Sequence, residues 1–337
     1  MRTFLCILLL ATLLAACDPA TAQPVPTIDP STMIVETAGA NTNVHDPTLI
    51  KAGGTYYLFS TGAGVPYRCS PDMKTWKACG RVFRLLPPAW VREAIPQVRD
   101  LWAPDIVFHN GKYYLYYSAS SFGVNTSAIG LATNTTLDPD DPAYSWEDEG
   151  LVIASQRSDP YNAIDPNLSF DKDGQPWLLF GSFWSGLKLI KVDPQTFKPA
   201  EGASLIDLAY RAGSNAIEGG FVTRRGDTYY LFVSFDFCCR GVNSTYNIRV
   251  GRSAEITGPY IDRQGKPMLE GGGTPVYQGS SRWIGPGHSS IYIENGVHYM
   301  VYHAYDAENN GNPTLHIEAL SWDADGWPQS PSALLGR

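Results

Sequence analysis

A short pattern recurs five times along this chain of 337 residues, and it constrains the fold more than any other feature of the sequence. Each copy opens on a polar residue, continues into a short apolar run, passes through a turn that contains glycine and enters a second apolar run. The opening residues are Asp46, Asp105, Asp165, Glu218 and His288. Because similar units recur along the chain, we expect a repeat architecture in which each unit packs against its neighbours.

Two further apolar runs follow in most units, so a complete unit has four predicted strands. The runs are short, rich in β-branched and aromatic residues, and bounded by Gly, Pro, Asn and Asp, as strands are. They lie at 66–69, 80–83, 127–132, 150–153, 187–192, 247–251 and 267–269. Residues 88–95 suggest a helical turn. Four strands in each of five units predict an all-β fold, a five-bladed β-propeller that forms a single domain over residues 33–337.

Composition and charge narrow the class of protein. The chain has 19 Tyr and 9 Trp but only 17% charged residues, which is typical of a rigid, aromatic-rich β protein. Its formal net charge of −8 repels phosphate backbones, so nucleic acid is excluded as an expected partner. The charge does not disfavour neutral polymers such as polysaccharides.

The first 17 residues have the features of an export signal. Arg2 precedes the apolar run Phe4–Ala16, which is too short to span a bilayer with ease. The run ends in Leu-Ala-Ala-Cys17, which resembles a bacterial lipobox and predicts a lipid anchor on Cys17; the alternative is an ordinary signal peptide. Asp18 resembles a signal for retention at the inner membrane of enteric-type bacteria. Residues 18–32 are rich in Pro and Thr and predict a flexible tether.

Four further cysteines bear on disulfide bonding. Cys69 and Cys79 flank a turn, which suits a disulfide across neighbouring strands. Cys238 and Cys239 are adjacent, and they pair either with each other or elsewhere. No CxxC motif or nearby His has the spacing of a structural metal site.

The five opening residues carry the functional prediction. In a propeller the first strand of each blade lines a central channel, so these residues should form a ring at one mouth of that channel. Asp before Pro is commonly only a turn former, but Glu218 and His288 at the same place are poor turn residues. Crowded carboxylates repel one another, so at least one should stay protonated near neutral pH. A proton donor beside a carboxylate base is what glycoside hydrolysis needs.

Aromatic residues lie near the ring in the sequence. They are Trp102, Phe122, Phe183, Trp184, Phe235 and Phe237. Sugars stack their apolar faces on such side chains, although aromatic residues at the blade ends can also simply pack against each other.

Several strings around the ring resemble those of glycoside hydrolase family 43, and most closely those of endo-α-1,5-L-arabinanases. The resemblance covers about residues 40–325 and is carried by 44–47, 101–105, 121–130, 162–166, 181–186, 216–219 and 287–290. The strings 122–130 and 243–246 are the ones that point to arabinanases.

The resemblance implies an inverting hydrolase of arabinan. Asp46 would be the general base that activates water, Glu218 the general acid, and Asp165 the residue that raises the pKa of Glu218 and orients it. The matching motifs imply substrate contacts at Gly123, Asn162, Ala163, Ile164, Asp165, Ser182, Phe183 and Trp184. We expect the aromatic Trp102 to be a further contact.

Two ring residues fall outside this catalytic set. The resemblance implies that His288 touches an ion in the channel, most often calcium, although calcium prefers oxygen ligands. A packed histidine and a substrate contact are the alternatives. We expect Asp105 to bind a backbone group or water, and we expect no organic cofactor.

Two other functions remain open from the sequence. An exo-acting arabinofuranosidase or β-xylosidase of the same fold would need one end of the cleft blocked, and the segments 85–100 and 270–283 are the expected walls. A non-catalytic glycan-binding lipoprotein should have lost Asp46, Asp165 or Glu218, and all three are present. We expect a monomer.

Overall fold

The computed structural model describes residues 29–84 and 87–337, and these residues form a five-bladed β-propeller. The blades are numbered 1 to 5 in chain order. From the innermost strand outward, blade 1 consists of Thr48–Ala52, Thr55–Phe59, Pro66–Ser70 and Thr75–Arg81. Blade 2 consists of Trp102–His109, Lys112–Ala119, Ser127–Asn134 and Glu147–Ser155. Blade 3 consists of Asn167–Phe170, Pro176–Phe180, Leu187–Lys191 and Ile206–Ala209. The prediction of a five-bladed propeller is confirmed.

The last two blades follow the same plan. Blade 4 consists of Ile217–Arg225, Thr228–Phe235, Asn247–Ser253 and Thr274–Tyr277. Blade 5 consists of Trp283–Glu294, Val297–Asp306, Asn312–Ala319 and, outermost, Ile34–Val35. The remaining elements are the hairpin Ser321–Trp322 with Pro328–Gln329, the helices Ala89–Ala94 and Pro331–Leu335, and the 3-10 turns Pro30–Met33, Gly241–Asn243, Met268–Glu270 and Ala307–Asn309.

The ring is closed by an early segment of the chain. Ile34 and Val35 pair with Glu318 and Ile317, so this short strand completes blade 5 from the other end of the sequence. Ala38–Gly39 then runs parallel to the outer strand of blade 1. Consecutive segments therefore join the last blade to the first, a closure that the sequence did not reveal.

Most of the predicted strands coincide with or overlap observed strands, and one does not. Residues 267–269 were predicted as the fourth strand of blade 4, but they form the 3-10 turn Met268–Glu270, and the strand follows at Thr274–Tyr277. Pro267 and Gly271 flank that turn, and Gly271 is left-handed, which ends the segment without a strand. The helical turn predicted at 88–95 is confirmed by the helix Ala89–Ala94. No helix in the described part of the chain is long and apolar enough to cross a membrane.

The core consists of five apolar clusters, one between each pair of neighbouring blades. Strand alternation explains this arrangement, since successive side chains point to opposite faces of a blade. On the second strand of blade 4, Tyr229 and Leu231 pack toward blade 3, while Tyr230 and Phe232 pack toward blade 5. Each such buried side chain contributes about 1.5 to 3 kcal/mol. The strands are therefore apolar on both faces, and the inner strands are held rigidly around the channel.

Candidate active site

A left-handed residue precedes the innermost strand of every blade, or lies in its first residues. These residues are Asp46 (φ 50°), Ala103 (φ 44°), Asp165 (φ 60°), Gly219 (φ 57°) and His288 (φ 48°). Residues other than glycine are strained in this conformation, and such strain is concentrated at functional sites. The backbone thus gives a more accurate alignment of the repeats than the sequence did. In this alignment Asp105 lies two residues after its left-handed position, and Glu218 lies one before.

Each strained residue is fixed by a hydrogen bond from its backbone N–H to a neighbouring blade. The acceptors for residues 46, 103, 165, 219 and 288 are His303 Nδ1 (3.2 Å), Thr61 Oγ1 (2.8 Å), Ser118 Oγ (2.9 Å), Asp165 Oδ2 (3.1 Å) and Ser234 Oγ (2.7 Å). The turns that carry the functional side chains are therefore held by side chains of the adjoining blade.

Asp105 is not a member of the ring, which corrects the sequence prediction. Its side chain is buried and does not line the cavity that holds the other ring residues, and its Oδ2 accepts hydrogen bonds from Leu168 N (2.7 Å) and Asn167 Nδ2 (3.2 Å). Burial raises the pKa of Asp105 to about 7, although these hydrogen bonds oppose the shift. The expectation that Asp105 binds a backbone group is confirmed, and its role is to join blade 2 to blade 3.

The other ring residues line a cavity of about 510 Å³ at the mouth of the channel, here called the cleft. Asp46, Asp165, Glu218 and His288 all contribute to it. Further lining residues are His45, Thr61, Trp102, Ser120, Ser121, Phe122, Gly123, Val124, Asn162, Ile164, Ser182, Phe183, Trp184, Phe237, Cys238, Cys239, Arg240 and Tyr246. Three carboxyl groups thus share one concave site.

Asp46 is surrounded by hydrogen-bond donors. Thr61 Oγ1 donates to Oδ2 (2.5 Å), and Oδ1 lies 2.9 Å from His45 Nδ1 and 3.2 Å from His288 Nδ1. Burial alone would raise the pKa of Asp46, but the charges of His45, His288 and His303 and the hydrogen bond from His45 outweigh it and hold the pKa well below its usual range. Asp46 is therefore an ionised carboxylate at neutral pH.

Glu218 lies between two hydroxyl groups. Ser182 Oγ donates to Oε2 (2.6 Å) and Tyr246 Oη donates to Oε1 (2.5 Å). A hydroxyl can donate or accept, so the same contacts hold Glu218 whether it is ionised or protonated. Burial, followed by the charges of Glu218, Asp165 and Asp46, raises the pKa of Tyr246 well above its usual value, so Tyr246 remains a neutral donor.

Asp165 is a carboxyl group whose surroundings oppose ionisation. It is buried, and burial together with the charges of Glu218 and Asp46 raises its pKa well above the usual value. The N–H of Gly219 opposes this shift by donating to Oδ2. Asp165 and Glu218 repel each other when both are ionised, so a state with one proton on the pair is favoured. This agrees with the expectation that crowded carboxylates would not all ionise.

The cleft has aromatic walls formed by two pairs of side chains. Trp102 and Phe122 lie 5.5 Å apart between ring centroids, and Phe183 and Phe237 lie 5.9 Å apart. Phe122 is 77% exposed, so its face is free for a ligand. Phe235, which the sequence grouped with these residues, is buried in the core between blades 3 and 4 and does not line the cleft.

A scan of known protein families places the chain. Residues 40–328 match the sequence profile of Glycosyl hydrolases family 43. The chain belongs to this family. The family assignment from the sequence is thereby confirmed, and with it the assignment to the glycoside hydrolases.

Of the two relatives compared within family 43, one is named for endo action and the other for exo action. The chain is 50% identical over 295 residues to the extracellular endo-α-(1→5)-L-arabinanase 1 of Bacillus subtilis, covering 86% of this chain and 88% of that protein. It is 46% identical over 299 residues to the extracellular exo-α-(1→5)-L-arabinofuranosidase of Cellvibrio japonicus, covering 85% and 86%. The solved structure of Cellvibrio cellulosa α-L-arabinanase complexed with arabinohexaose is similar with a TM-score of 0.82 and 45% identity, covering 86% of this chain and 95% of that one.

The substrate contacts implied by the family 43 motifs lie together with one exception. Trp102, Gly123, Asn162, Ile164, Ser182, Phe183 and Trp184 all line the cleft. Ala163 does not, because it is fully buried and its N–H donates to Ser155 Oγ (2.9 Å). Its neighbours on both sides face the cleft, so Ala163 serves the packing of the segment.

Sequence reasoning missed several residues of the cleft. Thr61 and Tyr246 bind the carboxylates of Asp46 and Glu218, and Cys238, Cys239 and Arg240 form part of its wall. Tyr246 ends the string 243–246 that pointed to arabinanases, so a signal was present. No residue of 87–100 or 270–283, the described parts of the two expected walls, lines the cleft.

The cysteine pairs are both disulfides. Cys69–Cys79 links adjacent strands of blade 1, as predicted, and Cys238 pairs with its neighbour Cys239. The adjacent pair lies in the wall of the cleft beside His45.

Among the described residues, the ligand atoms around His288 do not form an ion site with it. Two groups of three close His, Cys or Asp ligand atoms occur in residues 29–84 and 87–337; one combines His45 with Cys238 and Cys239, the other combines it with Asp46 and His303. The sulfur atoms of the first group are bonded to each other, and neither group contains His288. These protein atoms do not supply the set of oxygen ligands that calcium prefers.

Proposed function

We propose that this family 43 protein hydrolyses internal α-1,5-L-arabinofuranosidic bonds in arabinan by an inverting single displacement. The observation that carries the proposal is the cleft in which an ionised Asp46 faces the crowded Asp165–Glu218 pair, with the pKa of Asp165 raised, across one space between aromatic walls. The names of the two relatives, both of which refer to α-(1→5)-L-arabinose linkages, support the choice of substrate.

Asp46 suits the role of general base. A base must be ionised and must be held in one orientation; Thr61 and His45 provide donors to its two oxygens, and His288 Nδ1 lies 3.2 Å from Oδ1. In the proposed reaction, Asp46 takes a proton from a water molecule as that water attacks the anomeric carbon. Inversion requires this water to enter from the face opposite the leaving group.

Glu218 suits the role of general acid. It is only partly buried whereas Asp165 is buried, so Glu218 is the member of the pair that a leaving oxygen can reach. Asp165 holds the proton on the pair by repulsion and fixes the adjacent backbone by accepting the Gly219 N–H. Glu218 then protonates the glycosidic oxygen, and Ser182 and Tyr246 stabilise the carboxylate that remains.

A second cavity that shares Trp184 with the cleft favours endo action. Its volume is about 550 Å³. Its lining consists of Pro160, Trp184, Ser185, Asp207, Tyr210, Asn215 and Leu269. A polymer that extends in both directions from the cleaved bond needs such space, while an exo-enzyme needs one end closed. The exo alternative rests on the name of the Cellvibrio japonicus relative.

Product analysis on linear α-1,5-arabinan tests the proposal. Wild type should release mixed oligosaccharides in the first minutes, and Glu218→Gln, which keeps the shape of the side chain, should release almost none. Arabinose as the sole early product would show exo action. No turnover of arabinan, aryl arabinofuranosides or aryl xylosides by folded wild type would leave a glycan-binding protein and would refute the catalytic proposal.

We further propose that any ion near His288 is held mainly through water, because His288 supplies a single nitrogen and Asp46 is already engaged by other donors. No step of the proposed reaction passes through that ion. Metal analysis of purified wild type and His288→Ala, before and after treatment with a chelator, tests this: equal calcium content in both would contradict it.

We also propose an exported, monomeric protein, and the word extracellular in the names of both relatives supports export. The leader, Cys17, Asp18 and the tether up to residue 28 lie outside the described residues. The lipid anchor on Cys17 therefore rests on the sequence. Labelling with a radioactive fatty acid should mark wild type and not Cys17→Ser. Absence of label from wild type would refute the lipid anchor.

A further inference from the structure

We infer that the Cys238–Cys239 segment positions the carboxylate of Asp46 through a relay of hydrogen bonds that passes through Tyr305 and His45. The inference rests on the proposed function only in that it treats Asp46 as the general base. It makes His45 and Tyr305 positioning residues, and it gives the adjacent disulfide a role in the arrangement of the site.

The relay consists of three contacts in series. The backbone N–H of Cys239 donates to Tyr305 Oη (2.7 Å). Tyr305 Oη lies 2.8 Å from His45 Nε2, and His45 Nδ1 lies 2.9 Å from Asp46 Oδ1. Each residue of the relay therefore holds the next, from Cys239 in the wall of the cleft to the carboxylate of Asp46.

The directions of these hydrogen bonds are mutually consistent. Asp46 Oδ1 lies 2.9 Å from His45 Nδ1, and a carboxylate oxygen accepts, so His45 Nδ1 carries the hydrogen. In neutral His45, Nε2 then accepts from the Tyr305 hydroxyl, whose oxygen in turn accepts from Cys239 N–H. If His45 takes a second proton, Nε2 donates to Tyr305 Oη, which has a second lone pair for it. The hydrogen on Nδ1 faces Asp46 in both cases.

The His45 ring is also fixed from one face. It stacks on the ring of His303 at 3.9 Å between centroids and 27° between planes. His303 is completely buried, and its Nδ1 accepts the backbone N–H of Asp46 (3.2 Å). The same pair of histidines therefore holds both the backbone and the side chain of Asp46, and only the in-plane rotation of His45 is left for Tyr305 to fix.

The other end of the relay is anchored in blade 4. Cys239 is left-handed (φ 65°), and the bond to Cys238 limits the conformations open to this pair. Arg240 follows, with its N–H donating to Ser244 Oγ (3.0 Å) and its guanidinium 4.2 Å from the centre of the Phe237 ring. The N–H that Tyr305 accepts is therefore presented by a restrained segment that also forms the wall of the cleft.

Tyr305→Phe tests the relay because it removes a single oxygen atom. We expect kcat on linear arabinan to fall about 5- to 20-fold with KM changed less than twofold, since the loss affects the orientation of the base and not the binding of sugar. The matched control is Tyr67→Phe in blade 1. It removes a hydroxyl that is bonded to Tyr144 and should leave kcat unchanged. The double variant Cys238→Ser/Cys239→Ser should lower kcat in the same direction.

A pair of variants at His45 separates positioning from packing. Asn places its amide nitrogen near the Nδ1 position and can still donate to Asp46, whereas Gln places it near Nε2 and cannot. We expect His45→Asn to retain at least tenfold more kcat than His45→Gln. Equal losses in the two variants, or a Tyr305→Phe protein with raised KM and unchanged kcat, would overturn the inference.

A measurement without substrate keeps the inference apart from the proposed function. In protein labelled with ¹⁵N-histidine, His45 should show a protonated Nδ1, and Tyr305→Phe should shift its Nε2 resonance. If wild type hydrolyses no arabinan but these signals appear, the relay stands and the proposed function falls. If Nδ1 of His45 carries no hydrogen, the relay is refuted whatever the activity.

Discussion

Asp105→Asn is expected to stabilise the protein at alkaline pH without changing its activity. Asp105 is only 4% exposed, and burial raises its pKa from 3.8 to about 7. A carboxyl group whose pKa is higher in the folded state contributes its full stability below the unfolded pKa and loses it as the pH rises through the folded pKa. A pKa that is higher by about 3 in the folded state corresponds to about 4 kcal/mol of free energy of unfolding. Most of that free energy of unfolding should be lost between pH 4 and pH 8.5.

Reversible urea unfolding of wild type and Asp105→Asn, with disulfides kept oxidised, measures this effect. All other groups titrate alike in the two proteins, so the difference between their free energies of unfolding isolates Asp105. That difference should shift by about 4 kcal/mol in favour of the variant from pH 4 to pH 8.5. The rate on arabinan should be unchanged, because Asp105 does not line the cleft. A difference independent of pH would refute the reasoning about burial, and a large loss of activity in a stable variant would return Asp105 to the ring.

Three further substitutions test the site. Tyr246→Phe removes a hydrogen bond to Glu218 that becomes charge-assisted as Glu218 gives up its proton and is then worth about 1.5 to 3 kcal/mol. Steady-state kinetics should therefore show kcat lowered about 10- to 150-fold with KM nearly constant; an unchanged kcat would contradict it. Asp165→Asn removes a group whose pKa is raised by burial and by the charges of Glu218 and Asp46. The melting temperature of this variant at pH 7 should therefore rise, while its activity falls at least 100-fold. A lower melting temperature would argue against the crowding of charges. Trp102→Ala should raise KM about 2- to 12-fold through lost stacking, and a change confined to kcat would show that Trp102 does not contact sugar.

The fold could be predicted from the sequence because each repeat contains short apolar runs that form strands. These runs stay apolar along their length because the strands are buried on both faces. The closure of the ring could not be predicted, since Ile34–Val35 is too short to stand out and pairs with residues more than 280 positions away. The error at 267–269 has a similar cause, because a short apolar run between Pro and Gly fits a turn as well as a strand.

The carboxylates of the site could be predicted because each follows a recognisable motif, but their partners could not. Asp105 looked equivalent to Asp46 in the sequence, and only the left-handed residue Ala103 shows that the repeat begins two residues earlier. Tyr305 lies in the second strand of blade 5 and Thr61 lies two residues after the second strand of blade 1, and neither hydroxyl stands out in the sequence. Their contacts with the surroundings of Asp46 depend on which blades are adjacent, and that follows from the closed ring.

The configuration of the first product tests the central claim most directly. Proton NMR of the hydrolysis of an α-1,5-arabino-oligosaccharide, recorded before the product mutarotates, reports which anomer is released. The account predicts the β-anomer first, because Asp46 activates water on the face opposite the bond that Glu218 protonates. Release of the α-anomer first would mean that a carboxylate attacks carbon directly, and the assignment of base and acid would be wrong.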